Sequence, residues 1–339
     1  MSSLLALALA ASAAAPKAPK PVAPPKPWPL PALRGAPLVG SPSFTPDGAQ
    51  LLVSRFAAAG GARATRGDLY LVDAKRPRRE RALPVAGASE GGRYSARLSW
   101  DGKQIAYLAS GELWLRPVAE SGADAAPRRL YPPEKGDAPL GPKLDFALWS
   151  PDGSWLLLQS PLGWGRVAVQ SGEVAALGLK PVDLTGGSLA MSPDGVHVAF
   201  VRPERGPGWA NGVKVIALNL ETGQAQLADF DHDYVETLVL PDGQLLGEDS
   251  GGELWVLRGS SRLSYFKPPP QPEGTTVGQY ALAFDLSRIA FVATRGSGAA
   301  QRDELWIGVA PLAPPRPKLP GPRDAAPSTP GAPVPPSVR

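Results

Sequence analysis

Six times along the chain a short apolar run leads into Pro-Asp-Gly or a close variant, and an apolar or β-branched run follows. The copies are SFTPDGAQLLVSRF from Ser43, RLSWDGKQIAYLAS from Arg97, ALWSPDGSWLLLQS from Ala147, LAMSPDGVHVAFVR from Leu189, LVLPDGQLLGEDS from Leu238 and LAFDLSRIAFVAT from Leu282. Their aspartates, Asp47, Asp101, Asp152, Asp194, Asp242 and Asp285, are separated by 54, 51, 42, 48 and 43 residues. An interval of this size holds one supersecondary unit, so the fold must pack six similar units. Proline presets φ at the second turn position, the Asp side chain accepts from nearby turn N–H groups, and glycine tolerates the positive φ that closes the reversal. Each copy therefore reads as a β-hairpin. The sixth, Phe284-Asp285-Leu286, keeps the acceptor and loses the glycine.

A third strand recurs after each hairpin. Asp68-Leu69-Tyr70, Glu112-Leu113-Trp114, Glu253-Leu254-Trp255 and Glu304-Leu305-Trp306 follow Gly/Ser/Arg-rich loops, with Gly165-Arg166-Val167 and Val213-Lys214-Val215 in the remaining repeats. An aromatic at one phase of an alternating strand is suited to fill the space between adjacent sheets. Fourth strands are shorter and weaker, at Arg81–Val85, Arg128–Tyr131, Val174–Leu179, Gln224–Ala228 and Arg262–Phe266, as outer strands that meet solvent should be. The pattern predicts an all-β chain, a six-bladed β-propeller of four-stranded antiparallel blades. For blade 6 we expect Leu30–Arg34 to supply the outer strand, with Lys318–Leu319 as the competing source; proline is tolerable on an edge strand.

The SPDG-type hairpins, each followed by an apolar strand and then (D/E)-L-(W/Y), resemble the repeats of TolB-like six-bladed β-propellers, a WD40-like repeat group. The resemblance covers about residues 38–310. TolB itself carries a separate α/β domain ahead of its propeller, and residues 16–37 are too short and too Pro-rich for one, so the resemblance is to the propeller alone. It implies a rigid platform in the bacterial envelope that binds other proteins, such as outer-membrane lipoproteins or subunits of an envelope complex.

Charge and proline concentrate outside the repeats. Residues 1–37 carry four basic groups and no acid, and 311–339 carry Arg316, Lys318, Arg323 and Arg339 against Asp324, so the middle is left at −3 although the whole chain is +4. A nucleic-acid-binding fold needs a basic stripe on its folded part, and this balance argues against one. Nine of the 41 prolines lie in 16–37 and eleven in 311–339. Such tracts favour solvated polyproline II over packed structure, so 16–37 reads as a Pro/Lys-rich spacer and 311–339 as a disordered tail. Residues 1–15, MSSLLALALAASAAA, combine an apolar stretch with small residues at Ala11-Ser12-Ala13, the form of a cleavable signal peptide, although its start lacks Lys or Arg. Periplasmic localisation is the resulting expectation. Beyond this stretch no apolar run approaches the roughly 20 residues that span a bilayer.

Candidate chemistry is sparse. The chain has no Cys, which removes disulfides and thiolate chemistry, and its two His, His197 and His232, cannot form a three-histidine metal site. The tight turns should mark one propeller face, and the opposite face should carry the longer loops, where binding usually sits. These loops are Ala57–Gly67, Pro133–Leu144, Arg202–Gly212, Lys267–Gln279 and Arg295–Arg302. On them we single out Trp209 as an interface anchor and Arg63, Arg66, Arg202, Arg205, Arg295 and Arg302 as basic contacts. Asp229, Asp231 and Asp233, with Glu236, form an acidic stretch whose first positions resemble a Ca²⁺ loop; Tyr234 at the sixth position and Leu240 at the twelfth depart from it. A charged surface patch is the reading we prefer. His197, in VHVAF, alternates with Val196 and Val198 and reads as a satisfied sheet residue.

The leading expectation is a non-enzymatic scaffold that binds an envelope protein through the long-loop face, with no cofactor, no nucleic-acid partner and no membrane span. The alternatives are a Ca²⁺-dependent lactonase-like hydrolase using the central channel, and a carbohydrate or peptidoglycan binder using exposed Trp and the basic tails. We expect neither a G-x-S-x-G nucleophile elbow nor an α/β domain that could hold a Ser-His-Asp set.

Overall fold

Four of the six turn segments close their hairpins through the same small network. In the first four copies a hydroxyl two residues before the Asp donates to its carboxylate: Thr45 to Asp47 at 2.7 Å, Ser99 to Asp101 at 2.6 Å, Ser150 to Asp152 at 2.7 Å, and Ser192 to Asp194. The same oxygen accepts the N–H five residues on, from Gln50, Gln104, Trp155 and His197. The hydroxyl thus pins the turn and starts the ladder at once. Glycines 48, 102, 153, 195 and 243 follow the Asp with φ of 63 to 84°, and in the sixth copy Leu286 adopts φ 56° in place of glycine.

The computed structural model describes residues 26–28, 38–56, 67–77, 79–83, 85–86, 95–118, 126–134, 136–181, 189–204, 212–228, 232–258, 261–297 and 300–311. Its strands are β1 (Lys26–Trp28), then in blade 1 β2 (Leu38–Phe44), β3 (Gln50–Phe56), β4 (Gly67–Asp73) and β5 (Glu80–Leu83). Blade 2 holds β6 (Ala96–Leu98), β7 (Gln104–Ala109), β8 (Glu112–Pro117) and β9 (Arg128–Tyr131). In blade 3 come β10 (Phe146–Trp149), β11 (Trp155–Ser160), β12 (Gly163–Ala168) and β13 (Val174–Ala176). Blade 4 holds β14 (Leu189–Met191), β15 (His197–Glu204), β16 (Gly212–Asn219) and β17 (Ala225–Leu227). The last two blades comprise β18 (Glu236–Val239), β19 (Leu245–Glu248), β20 (Leu254–Arg258) and β21 (Ser261–Phe266), then β22 (Thr275–Leu282), β23 (Ile289–Arg295) and β24 (Arg302–Gly308). Six four-stranded antiparallel sheets result, and the sixth has the order β1-β24-β23-β22.

The ring is therefore closed by the N-terminal side. Lys26, Pro27 and Trp28 pair with Ile307, Trp306 and Leu305. The strand lies ahead of the expected Leu30–Arg34, a stretch outside the described residues, and it lies within the segment read as a spacer. Pro27 is accommodated because β1 is an edge strand with a free side. The expected strand ends differ elsewhere too: β15 extends to Glu204, β23 ends at Arg295 and β24 begins at Arg302. Arg202, Arg295 and Arg302 thus lie on strands, not in loops.

Six apolar clusters, one between each pair of neighbouring blades, make up the core. Tyr70 and Leu305 together fill the one between blades 6 and 1, and Trp114, Trp255 and Trp306 pack against three others while keeping part of their surface exposed. Trp164 of blade 3 meets Phe200 of blade 4, ring centroids 6.4 Å apart, and both are 1% exposed. Burying such a side chain contributes about 3 kcal/mol, so the repeats cohere across blades as well as within them. Among the described residues no helix is long and apolar enough to cross a membrane.

Candidate functional site

The inner strands β2, β6, β10, β14, β18 and β22 surround a central channel that narrows at a waist. Two cavities meet there and share Pro42, Arg97, Glu236 and Tyr280. The wider, about 530 Å³, opens on the long-loop face past Ser110, Asp145, Glu248, Gln279 and Asp303. The narrower, about 200 Å³, opens among the Pro-Asp-Gly turns.

The polar groups converge at the waist. Glu236 opens β18 and Glu248 ends β19, and the antiparallel register sets them directly opposite. Glu248 is 1% exposed, and none of the described N–H or O–H groups donates to its carboxylate oxygens. Two anions opposed at this depth repel, so the pair retains a proton. Burial first, then the Glu236 charge, pushes the Glu248 carboxyl up to about 10. Burial also raises Glu236, but contact with Glu248, the Arg97 charge and the N–H groups of Tyr280 and Gln279 oppose it. Glu236, with the N–H donors and the facing cation, is the member of the pair placed to carry the charge, and Glu248, with neither, the member placed to keep the proton. Arg97 on β6 is the facing cation; burial lowers its pKa and Glu236 works against that.

The donors to Glu236 come from a β-bulge. The β22–β23 register shifts between Gly278 and Ala281, which frees Gln279 and Tyr280 from the ladder. Gln279 takes φ 54°, an uncommon conformation for a side-chain-bearing residue. This turns two successive N–H groups toward the carboxylate, that of Tyr280 lying 3.3 Å from Oε2. A bulge that re-aims the backbone next to a cavity is a recurrent feature of binding sites.

The residues singled out from sequence fall into other places. Arg63, Arg66, Arg205, Trp209, Asp229 and Asp231 lie outside the described residues. Arg202 stands on β15 opposite Lys214 of β16. Arg295 and Arg302 face each other across β23–β24, with Arg295 Nε donating to Thr275 Oγ1 at 3.1 Å. Blade 4 and blade 6 thus carry separate basic groups, with blade 5 between them. Asp233 pairs with Lys214 at 2.9 Å, and Lys214 also donates to the His232 carbonyl at 2.7 Å. Tyr234 is fully buried. The acidic stretch, read as one surface patch, is divided by this anchor: Asp233 faces out while Glu236 turns into the channel. Among the described residues no group of three or more His, Asp or Glu is arranged to hold a metal ion. The His197 ring is held by Asp194 Oδ2 at 3.1 Å and Asn219 Nδ2 at 3.2 Å.

Sequence reasoning missed Arg97 and Glu248, and it gave Glu236 the wrong surroundings. The available signal was a charge inside an otherwise apolar first strand, four residues before Asp101 and six before Asp242. The expectation that G-x-S-x-G is absent is also wrong: Gly87-Ala88-Ser89-Glu90-Gly91 has that spacing, and it lies outside the described residues.

Blade number, turn chemistry and closure define a six-bladed β-propeller of four-stranded antiparallel blades. No protein-family model matches the chain, and no curated protein matches it. Among solved structures it is similar to a luciferin-regenerating enzyme, with 9% identity over 82% of this chain and 96% of that one and a TM-score of 0.50. TolB from Acinetobacter baumannii is 17% identical with a TM-score of 0.44, covering 81% of this chain and 55% of that one. A putative TolB from Agrobacterium tumefaciens is 15% identical with a TM-score of 0.42, covering 81% and 83%. The chain therefore spans little more than half the length of the Acinetobacter protein. At these identities the likeness is one of fold.

Proposed function

We propose that the protein is a non-enzymatic binding scaffold of the bacterial cell envelope, exported to the periplasm and engaging a partner protein through the long-loop face. One observation carries the reading: a cavity of about 530 Å³ opens on that face and ends on a charged waist of Arg97, Glu236 and Glu248. A concave site with a few convergent polar groups on a rigid frame is the usual form of a recognition pocket. Asp303 at its rim accepts from the Val39 N–H at 2.8 Å and the Thr294 hydroxyl at 2.8 Å, which ties blades 1 and 6 together beneath the opening.

The test is capture from envelope extracts with the tagged chain, followed by mass spectrometry, against Arg302→Glu and Asp233→Lys as surface controls and Arg97→Leu at the waist. A partner retained by the parent and reduced at least tenfold by one of these substitutions supports the reading. Absence of any specific partner, or capture indifferent to all three, counts against it.

A second reading is favoured by the carboxyl pair itself. Two carboxyls sharing one proton can act as a general acid and a general base. An acid–base enzyme of the channel would lose turnover in Glu248→Gln while still binding its substrate; a scaffold has no turnover to lose.

A further inference from the structure

The narrower mouth of the channel has the opposite character to the site above. Trp100 of blade 2 and Phe284 of blade 6 meet edge to face over it, ring centroids 5.1 Å apart, and Phe284 is 46% exposed. Pro46, Met191, Leu238 and Pro241 continue the lining inward. Around this apolar opening stand the six turn aspartates, opposed within the turns by Lys103, which pairs with Asp101 at 3.7 Å, and by Arg288; Lys75 lies near Asp47. Turn hydrogen bonds favour the ionised form of Asp47, Asp152 and Asp194. The Ala49 N–H and the Thr45 hydroxyl lower Asp47, and the Ser150 and Ser154 hydroxyls lower Asp152. At Asp194 burial opposes ionisation, and bonds from Ser192, the Val196 N–H and His197 outweigh it, holding the carboxyl at about 2. The result is an aromatic and proline-lined pit inside an acidic rim.

The chain's own tail leaves on this face. Gly308, the last residue of β24, pairs with Ile289, the first residue after the Asp285 turn. Ala310 is buried beside blade 5, and the Tyr265 hydroxyl donates to the Pro311 carbonyl at 3.1 Å. Beyond Pro311 come 28 residues, beginning LAPPRPKLPGPR, with Arg316, Lys318 and Arg323 spaced among prolines. In polyproline II each residue advances about 3.1 Å. Strands lie about 4.8 Å apart, so the passage from the third strand to the axis takes only about six residues. That reach is enough for Pro314–Pro322 to span the distance to the opening.

We propose that the mouth on the Pro-Asp-Gly face is a docking site for basic, proline-rich peptide and that residues 312–339 of this same chain occupy it. Proline rings stack on Trp100 and Phe284, the way aromatic-lined grooves take preformed polyproline helices. Arg316 and Lys318 meet the acidic rim. A cavity of about 200 Å³ admits one or two prolyl rings and no folded element. Tethering keeps the local concentration of tail high, so modest contacts suffice. The site lies on the face opposite the proposed partner surface and does not depend on that reading.

The test uses the full chain carrying Phe284→benzoylphenylalanine, irradiated and mapped by mass spectrometry. The expected product is an intramolecular crosslink into 312–339, centred on Pro314–Pro322. Its yield should fall at least threefold at 0.5 M salt or with Arg316→Glu and Lys318→Glu together. Pro241→benzoylphenylalanine, on the blade 5 turn at the same mouth, should capture the same peptides. Leu162→benzoylphenylalanine, 68% exposed in the turn between β11 and β12 on the far face, should capture none. Crosslinks into residues 16–25, crosslinks between copies, products confined to the propeller, or a yield indifferent to salt and charge reversal would each overturn the proposal.

Discussion

The Glu236–Glu248 pair has a consequence for stability that follows from its proton. In the unfolded chain Glu248 titrates near its ordinary 4.5, and in the folded protein near 10. Between these values the folded state holds a proton that the unfolded state has released, so stability contributed below pH 4.5 is lost as pH rises toward 10. Glu248→Gln keeps an N–H donor to Glu236 and has no proton to lose. We expect the variant to gain on the order of 2 kcal/mol over the parent at pH 8, with the difference shrinking toward pH 5. Calorimetric melting of both proteins from pH 5 to 9 reads this directly. A parent and variant whose difference does not change with pH would show that the pair is not proton-linked.

Among the elements, β18 and β19 illustrate how a crossing segment is held by the blade it enters. Tyr234, just ahead of β18, lies flat on Gly247 of β19, and a Cβ built there would sit 2.5 Å from the ring. Its N–H donates to the Val213 carbonyl of blade 4 at 2.8 Å, so one residue joins two blades. Gly247→Ala forces the ring out of a packed site, and overpacking of this kind destabilises by about 2 kcal/mol. A melting temperature lowered by several degrees is the expected result, and an unchanged one would mean that the crossing can shift freely. The same contact explains why the acidic stretch does not continue as a Ca²⁺ loop. Where such a loop needs a flexible glycine, this chain has a buried aromatic anchor.

For the whole molecule, closure decides cooperativity. β1 and β24 join the two ends of the described chain, and the cluster between blades 6 and 1 seals the ring. A chain starting at Pro37 keeps every inter-blade cluster but leaves β24 as an unpaired edge. We expect it to melt about 5 °C below the parent, given that 1 kcal/mol is worth about 2–4 °C in a chain of this size. Loss of secondary structure and of aromatic packing should coincide in the parent and separate in the shortened chain. Identical melting curves for the two would remove β1 from any part in closure.

How much of this was legible in the sequence depends on the range of the interaction. Turn chemistry is local: an aspartate recurs in all six turns, a glycine follows it in five and a hydroxyl precedes it in four, so blade number and strand order could be read before any coordinates. The closing strand was harder, because Lys26–Trp28 is too short and too polar to carry a strand signal of its own. It becomes a strand only by pairing with residues some 280 positions away. The channel site was hidden for the same reason. Arg97 and Glu236 are single charges in separate repeats, and only the ring brings them to one axis, where low dielectric turns an ordinary glutamate, Glu248, into an acid that keeps its proton. By itself, then, the sequence specified six hairpins and their turns, since those depend on neighbours along the chain. Tertiary structure decided which charges meet, how the ring closes and what each mouth can hold, since burial and distance exist only once the blades are packed.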